Sequence, residues 1–190
     1  MSDAAPDKGR NEETDASGQP VSADDDARVH GAVVVAVVPG QSPRVLKEAA
    51  RYASLLQVHL LVVNVDVTRF VTYEDPDGYI HSAPIDLHVT PGVEDIEQVR
   101  SEAAEVLDGR GLEWSVRQLV GDPALAIKQL ADRIDARLLV VGTRKRGFGE
   151  SVREFFTGSV AARLAHRQRR PILVVPLGET IPDDESIWPE

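Results

Sequence analysis

The stretch GDPALAIKQLADRIDARLLVVGT, Gly121 to Thr143, is where the fold is decided. Asp122 is placed to cap a helix, because its carboxylate can accept from the free amides of the first turn. Pro123 suits the first helical position, where no amide donor is needed. A helix then runs through ALAIKQLADRIDA, and RLLVVGT (137–143) follows as a short run of β-formers. A capped helix that delivers the chain into an apolar strand is one crossover unit of a parallel sheet.

The same pattern recurs on both sides. VHGAVVVAVV (29–38), VHLLVVNVDV (58–67), EWSVRQLV (113–120) and PILVVP (171–176) read as further strands. The β-branched runs among them suit strands buried on both faces. Ser42 and Pro43 are expected to cap and open a helix through VLKEAARYASLL, with Val45, Leu46, Ala49, Ala50 and Ala53 on one stripe. Pro91 opens another helix to about Asp108. VAARLAHRQRR (160–170) is a third, its bases favourably placed at the C-terminal end. FVTY and YIHS flank EDPDG, either as a small hairpin or as a loose excursion. The order β-α-β-α-β-α-β-α-β predicts an α/β chain, a five-stranded parallel sheet with helices on both faces. This is a Rossmann-like or flavodoxin-like three-layer sandwich. In such sheets ligands sit at the carboxyl ends of the strands, where the strand order reverses. With the first strand central, that crevice is lined by Val38–Ser42 and Gly142–Lys145.

Charge divides the chain into three parts. Residues 1–30 carry eight acids and three bases, and residues 178–190 carry five acids and no base. Residues 31–177 are balanced, with 18 of each, so the net charge of −10 belongs to the ends. A neutral domain argues against nucleic acid as a partner. Residues 1–28 have almost no large apolar side chains and are expected to be a disordered acidic tail. The domain is expected over 29–177, with a second acidic tail at 178–190. There is no cysteine, so thiolate metal sites are excluded. No apolar run is long enough to cross a membrane, and the N-terminus lacks a signal-peptide core, so a cytoplasmic protein is expected.

GDPALAIKQLADRIDARLLVVGT followed by TGSVAARLAHRQRRPILVVP resembles the universal stress protein (UspA-like) family, from about Val29 to Pro176. The resemblance implies the sheet order 3-2-1-4-5 and a homodimer through the edge of the fifth strand. It also implies ATP binding, through the motif Gly-x2-Gly-x9-Gly-Ser/Thr. Glycines let the backbone approach phosphate oxygens, and the amides of a helix N-terminus face the anion. Carried onto this chain, Gly142 is the first glycine, Gly158 and Ser159 are the last pair, and Val160 opens the helix behind them. Val65 falls at a position beside the adenine, and it also reads as core.

Two departures stand out. Lys145 occupies the second glycine position, and twelve residues (146–157) separate it from Gly158 in place of nine. Pro39, followed by Gly40, stands where ATP-binding members carry an aspartate near the adenosine. A hydrogen bond lost there is worth roughly 0.5–1.5 kcal/mol. In compensation, Arg144, Lys145 and Arg146 bring positive charge to the phosphate end, where they read either as phosphate ligands or as a solvated charge run. Asp75, Asp77, His81, Asp86 and His88 match no metal-site spacing, and no catalytic set is legible. The expectation is therefore a nucleotide-binding stress regulator and not an enzyme, any ATP hydrolysis being slow. The alternative is a nucleotide-independent interaction module with a degenerated motif.

Overall fold

Val33, Val34 and Val35 are each at most 1% exposed, as a strand covered on both faces requires. The computed structural model describes residues 14–15, 23–67, 69–74, 80–84, 93–143 and 160–178. In chain order they form β1 (Thr14–Asp15), α1 (Ala23–Arg28), β2 (Val33–Ala36), α2 (Arg44–Leu56), β3 (Leu60–Asp66), β4 (Arg69–Glu74) and β5 (Ile80–Pro84). Then come α3 (Val93–Leu107), β6 (Trp114–Val120), α4 (Pro123–Arg133), β7 (Leu138–Gly142), α5 (Val160–Arg167) and β8 (Ile172–Val175).

The main sheet runs β1-β6-β3-β2-β7-β8. Its five parallel strands have the expected order 3-2-1-4-5, with β2 in the centre. Side chains alternate between the faces of each strand. Val33, Val35, Leu60 and Val62 pack against Val45, Leu46 and Ala49 of α2 and Ile96, Val99 and Ala103 of α3. Val34, Leu61, Val63, Leu119, Leu139 and Val141 pack against Ile127 and Leu130 of α4 and Leu164 of α5. Each of these large side chains contributes about 1.5–3 kcal/mol on burial. On either side of EDPDG, β4 and β5 pair antiparallel as a separate two-stranded sheet.

Several boundaries differ from the sequence reading. The first strand is shorter than 29–38. Val29 turns into the core instead, where the Ala32 amide donates to its carbonyl at 3.1 Å and the Gly31 amide donates to Ile134 O at 2.8 Å. At the other end Val38 leaves the ladder, 58% exposed. The helix from Val160 ends at Arg167, because Gln168 folds back on Arg170: its side chain donates to Arg170 O and accepts from Arg170 N. At the start of α2, Pro43 sits just before the first helical residue, and the Ser42 hydroxyl accepts from the Arg44 amide at 3.4 Å.

The larger difference lies in the segment expected to be a disordered tail. Residues 14–15 pair antiparallel with Gln118 and Arg117 of β6, and residues 23–28 are helical. Asp26 of that helix accepts from Arg117 Nη1 at 2.6 Å and from Arg133 Nε at 2.7 Å. Composition could not reveal this docking, because it rests on charge-assisted hydrogen bonds to residues 91 and 107 positions away and not on apolar burial. The other residues of 1–28, and the C-terminal tail beyond residue 178, lie outside the described residues.

Candidate functional site

Because β2, β3, β6, β7 and β8 are parallel, their carboxyl ends share one rim. The turn after β2, the ends of β3 and β7 and the N-termini of α4 and α5 therefore come together there. Among the candidate residues, Val65 at the end of β3 and Val160 at the start of α5 are each half-buried against the same apolar cluster, as is Ala36 at the end of β2. Pro39 and Gly40 form the turn after β2, where the Gln41 amide donates to Val38 O at 3.2 Å. Gly40 has φ +68°, which a glycine adopts without strain. Gly142 ends β7. Arg144, Lys145, Gly158 and Ser159 lie outside the described residues, as do Asp75, Asp77, Asp86 and His88.

Gly142 has a packing reason to lack a side chain. A Cβ there would overlap Gln41 Nε2 and would lie 2.8 Å from Leu177 Cδ1 and 3.0 Å from Val45 Cγ2. The Gln41 amide thus lies across the end of β7, and its Oε1 accepts from the Val38 amide at 3.2 Å. Glu102 of α3 reaches the same turn: its two carboxylate oxygens stand 3.0 and 3.2 Å from the Gly40 amide that donates to them. Gln98, one helical turn earlier, donates to Glu102 Oε1 at 2.8 Å and orients it. Two backbone donors of the turn are therefore already used by side chains of the chain itself.

Beneath the turn, Asn64 is 3% exposed, between Val63 and Val65 of β3. Its Nδ2 donates to Val37 O at 3.2 Å, tying β3 to the end of β2, while its Oδ1 has no hydrogen-bond partner among the described residues. Such an atom keeps its acceptor capacity for a donor that enters the rim, since burial without a partner is costly. Gln41 falls within the expected crevice segment Val38–Ser42, whereas neither Glu102 nor Asn64 was legible as a site residue. Only Asn64 carries a signal, a lone amide inside LLVVNVD.

At the α4 and α5 side the rim is held by charge. Asp122 caps α4 as expected, accepting from the Leu125 amide at 2.9 Å. It also receives both terminal nitrogens of Arg163, at 2.6 and 2.7 Å. The Arg163 hydrogen bond holds the Asp122 carboxyl below the ordinary carboxylate range, with the Leu125 amide and the charge of Arg167 assisting against the effect of burial. At the far end of α4, Asp132 is held low in the same way, by Lys128 and, from the approach to β8, by Arg170. The open depression at that far end, lined by Lys128, Asp132, Arg167 and Arg170, is thus a salt-bridged surface. Among the described residues no cluster of three or more potential metal ligands occurs, and no helix is long and apolar enough to cross a membrane.

Comparisons with known proteins agree with this architecture. A universal stress protein from Archaeoglobus fulgidus superposes with a TM-score of 0.55 at 25% identity, over 77% of this chain and 99% of that one. A universal stress protein in complex with cAMP superposes with a TM-score of 0.56 at 25% identity, over 78% and 98%. In sequence, the chain is 34% identical over 91 residues to the universal stress protein Sll1388 of Synechocystis, covering 43% of this chain and 56% of that protein. It is 32% identical over 79 residues to the stress response protein NhaX of Bacillus subtilis, covering 42% and 46%. The chain spans about half the length of these curated relatives. Residues 31–176 match the Universal stress protein family as a whole, which takes in every parallel strand and leaves α1 outside, and the chain belongs to that family.

Proposed function

We propose that this chain is a stress-response regulator that binds an adenine nucleotide at the rim formed by the ends of β2 and β7. The observation that carries the reading is that Ala36, Val65 and Val160, at the ends of β2 and β3 and the start of α5, are all half-buried against one apolar cluster at the carboxyl ends of the parallel strands. An apolar wall suits a purine, and a helix N-terminus suits its phosphate. The similarity to a universal stress protein in complex with cAMP supports the ligand class. ATP is the nucleotide proposed first, with AMP and cAMP as the comparison ligands. The protein acts by binding and not as an enzyme, as a cytoplasmic homodimer paired through β8.

The test is direct. Denatured protein is assayed for released adenine nucleotide, and the stripped protein is titrated with ATP, AMP and cAMP by calorimetry. Binding below millimolar supports the reading, and Val65→Asp then weakens it at least about tenfold by placing a charge on the purine wall. Absence of binding up to millimolar concentrations of all three overturns it.

One observation favours a second reading, a nucleotide-independent interaction module. Glu102 and Gln41 already satisfy the Gly40 and Val38 amides, and the Gln41 amide lies over Gly142. On that reading the rim is closed by the chain's own side chains, and the titrations give no heat.

A further inference from the structure

The edge strand β6 carries an arginine where the pattern calls for an apolar residue. Arg117 alternates with Leu119 on the face covered by α4, and only 4% of its side chain is exposed. A guanidinium so deeply buried requires a partner with the opposite charge. That partner is Asp26, which also receives Arg133 from α4, so one carboxylate bridges two arginines on two elements of the domain. Asp26 comes from a segment that lies before the family-matched residues 31–176. The backbone adds a second recognition element, for Thr14 and Asp15 pair antiparallel with Gln118 and Arg117. This ladder engages two of the seven residues of β6. The domain thus presents a strand edge for extended backbone and, beside it, a two-arginine cradle for an aspartate on a short helix.

We propose that this edge of β6 is a docking site for an acidic peptide, a short extended stretch followed by a helical turn bearing aspartate, and that residues 14–15 and 23–28 occupy it in cis as a built-in competitor. The partner chemistry is defined by the cis occupant. Strand addition supplies affinity through main-chain hydrogen bonds, and the arginine pair supplies selectivity for a carboxylate. The described contacts of the cis segment include two ladder positions and the Asp26 carboxylate, and a partner segment that pairs along more of β6 competes with it. This proposal is independent of nucleotide binding at the rim.

The experiment uses the full chain and a fluorescent peptide of residues 11–30 as the probe, followed by anisotropy without nucleotide. Asp26→Asn in the protein weakens the cis occupant, and the variant is expected to bind the peptide at least about tenfold more tightly than the unaltered protein. A peptide that itself carries Asp26→Asn is expected not to bind, and rising salt is expected to weaken the complex. Thr14→Pro with Asp15→Pro removes the segment's backbone donors to the ladder, and it is expected to open the site as well. Equal affinity for the unaltered protein and both variants, equal binding of the two peptides, or no binding at all overturns the proposal. So does the loss of folded structure in both variants by circular dichroism, since the segment would then be an integral part of the domain and not an occupant of a site.

Discussion

At one edge of the sheet, β6 is flanked by Thr14 and Asp15 and tied to α1 through Asp26. At the other edge, β8 pairs with β7 alone among the described residues and leaves Val174 43% exposed. Unpaired strand edges are adhesive, and proteins either cover them or use them. Here the same sheet does both. The polar, arginine-bearing edge is covered by a segment of its own chain. Among the described residues no further strand pairs with the apolar edge, ILVV, and that is the surface through which the homodimer is proposed. Helix α4 joins the two edge units. Asp122 at its start reaches Arg163 of α5, and Asp132 at its end reaches Arg170 beside β8.

The contrast can be broken from either side. Val174→Lys puts like charges opposite one another across a β8–β8 contact, and such juxtaposition costs several kcal/mol. Light scattering at micromolar concentration is expected to show a dimer for the unaltered chain and a monomer for the variant. The urea stability of the monomer should change by less than about 0.5 kcal/mol, as for an exposed position. At the covered edge, Asp26→Ala removes a carboxylate shared by two arginines, Arg117 buried among them, and is expected to cost about 1.5–3 kcal/mol in urea unfolding. Asp122→Ala removes both a helix cap and the bridge to α5, and it is expected to cost about 1–2 kcal/mol. That loss should fall on α4 and α5 together in hydrogen exchange.

The smallest effect is on the acid limb of stability. Asp122 and Asp132 titrate below their ordinary value of 3.8 in the folded protein, through Arg163 and Lys128 respectively. Their contribution is present above the unfolded value and is lost as pH falls through the folded one. Burial likewise lowers His59, whose Nε2 lies 2.8 Å from Ser115 Oγ, so the unfolded chain takes up its proton first and stability declines as pH drops below about 6.5. Thermal melts from pH 7 to pH 3 should show both limbs. Asp122→Asn flattens the lower one, and His59→Gln flattens the upper.

The sequence by itself determined the repeating crossover unit, the five parallel strands and the Asp122–Pro123 helix start, because periodicity, β-branching and capping act within a few residues of the chain. Charge balance likewise marked off the two acidic ends. It could not determine that part of one acidic end is structured, since the aspartate run 24–26 becomes a docking element only when Arg117 and Arg133 are brought to it. The same limit applies at the rim. Gly142 reads as a phosphate-contact glycine from its motif, yet the folded chain gives it a steric reason through Gln41, Val45 and Leu177. Glu102 meets Gly40 across 62 positions, and Asn64 meets Val37 across 27. Local patterns follow from local sterics and solvation, which the order of residues carries. Long-range polar contacts depend on which strands become neighbours and in which register, and only the tertiary structure decides that.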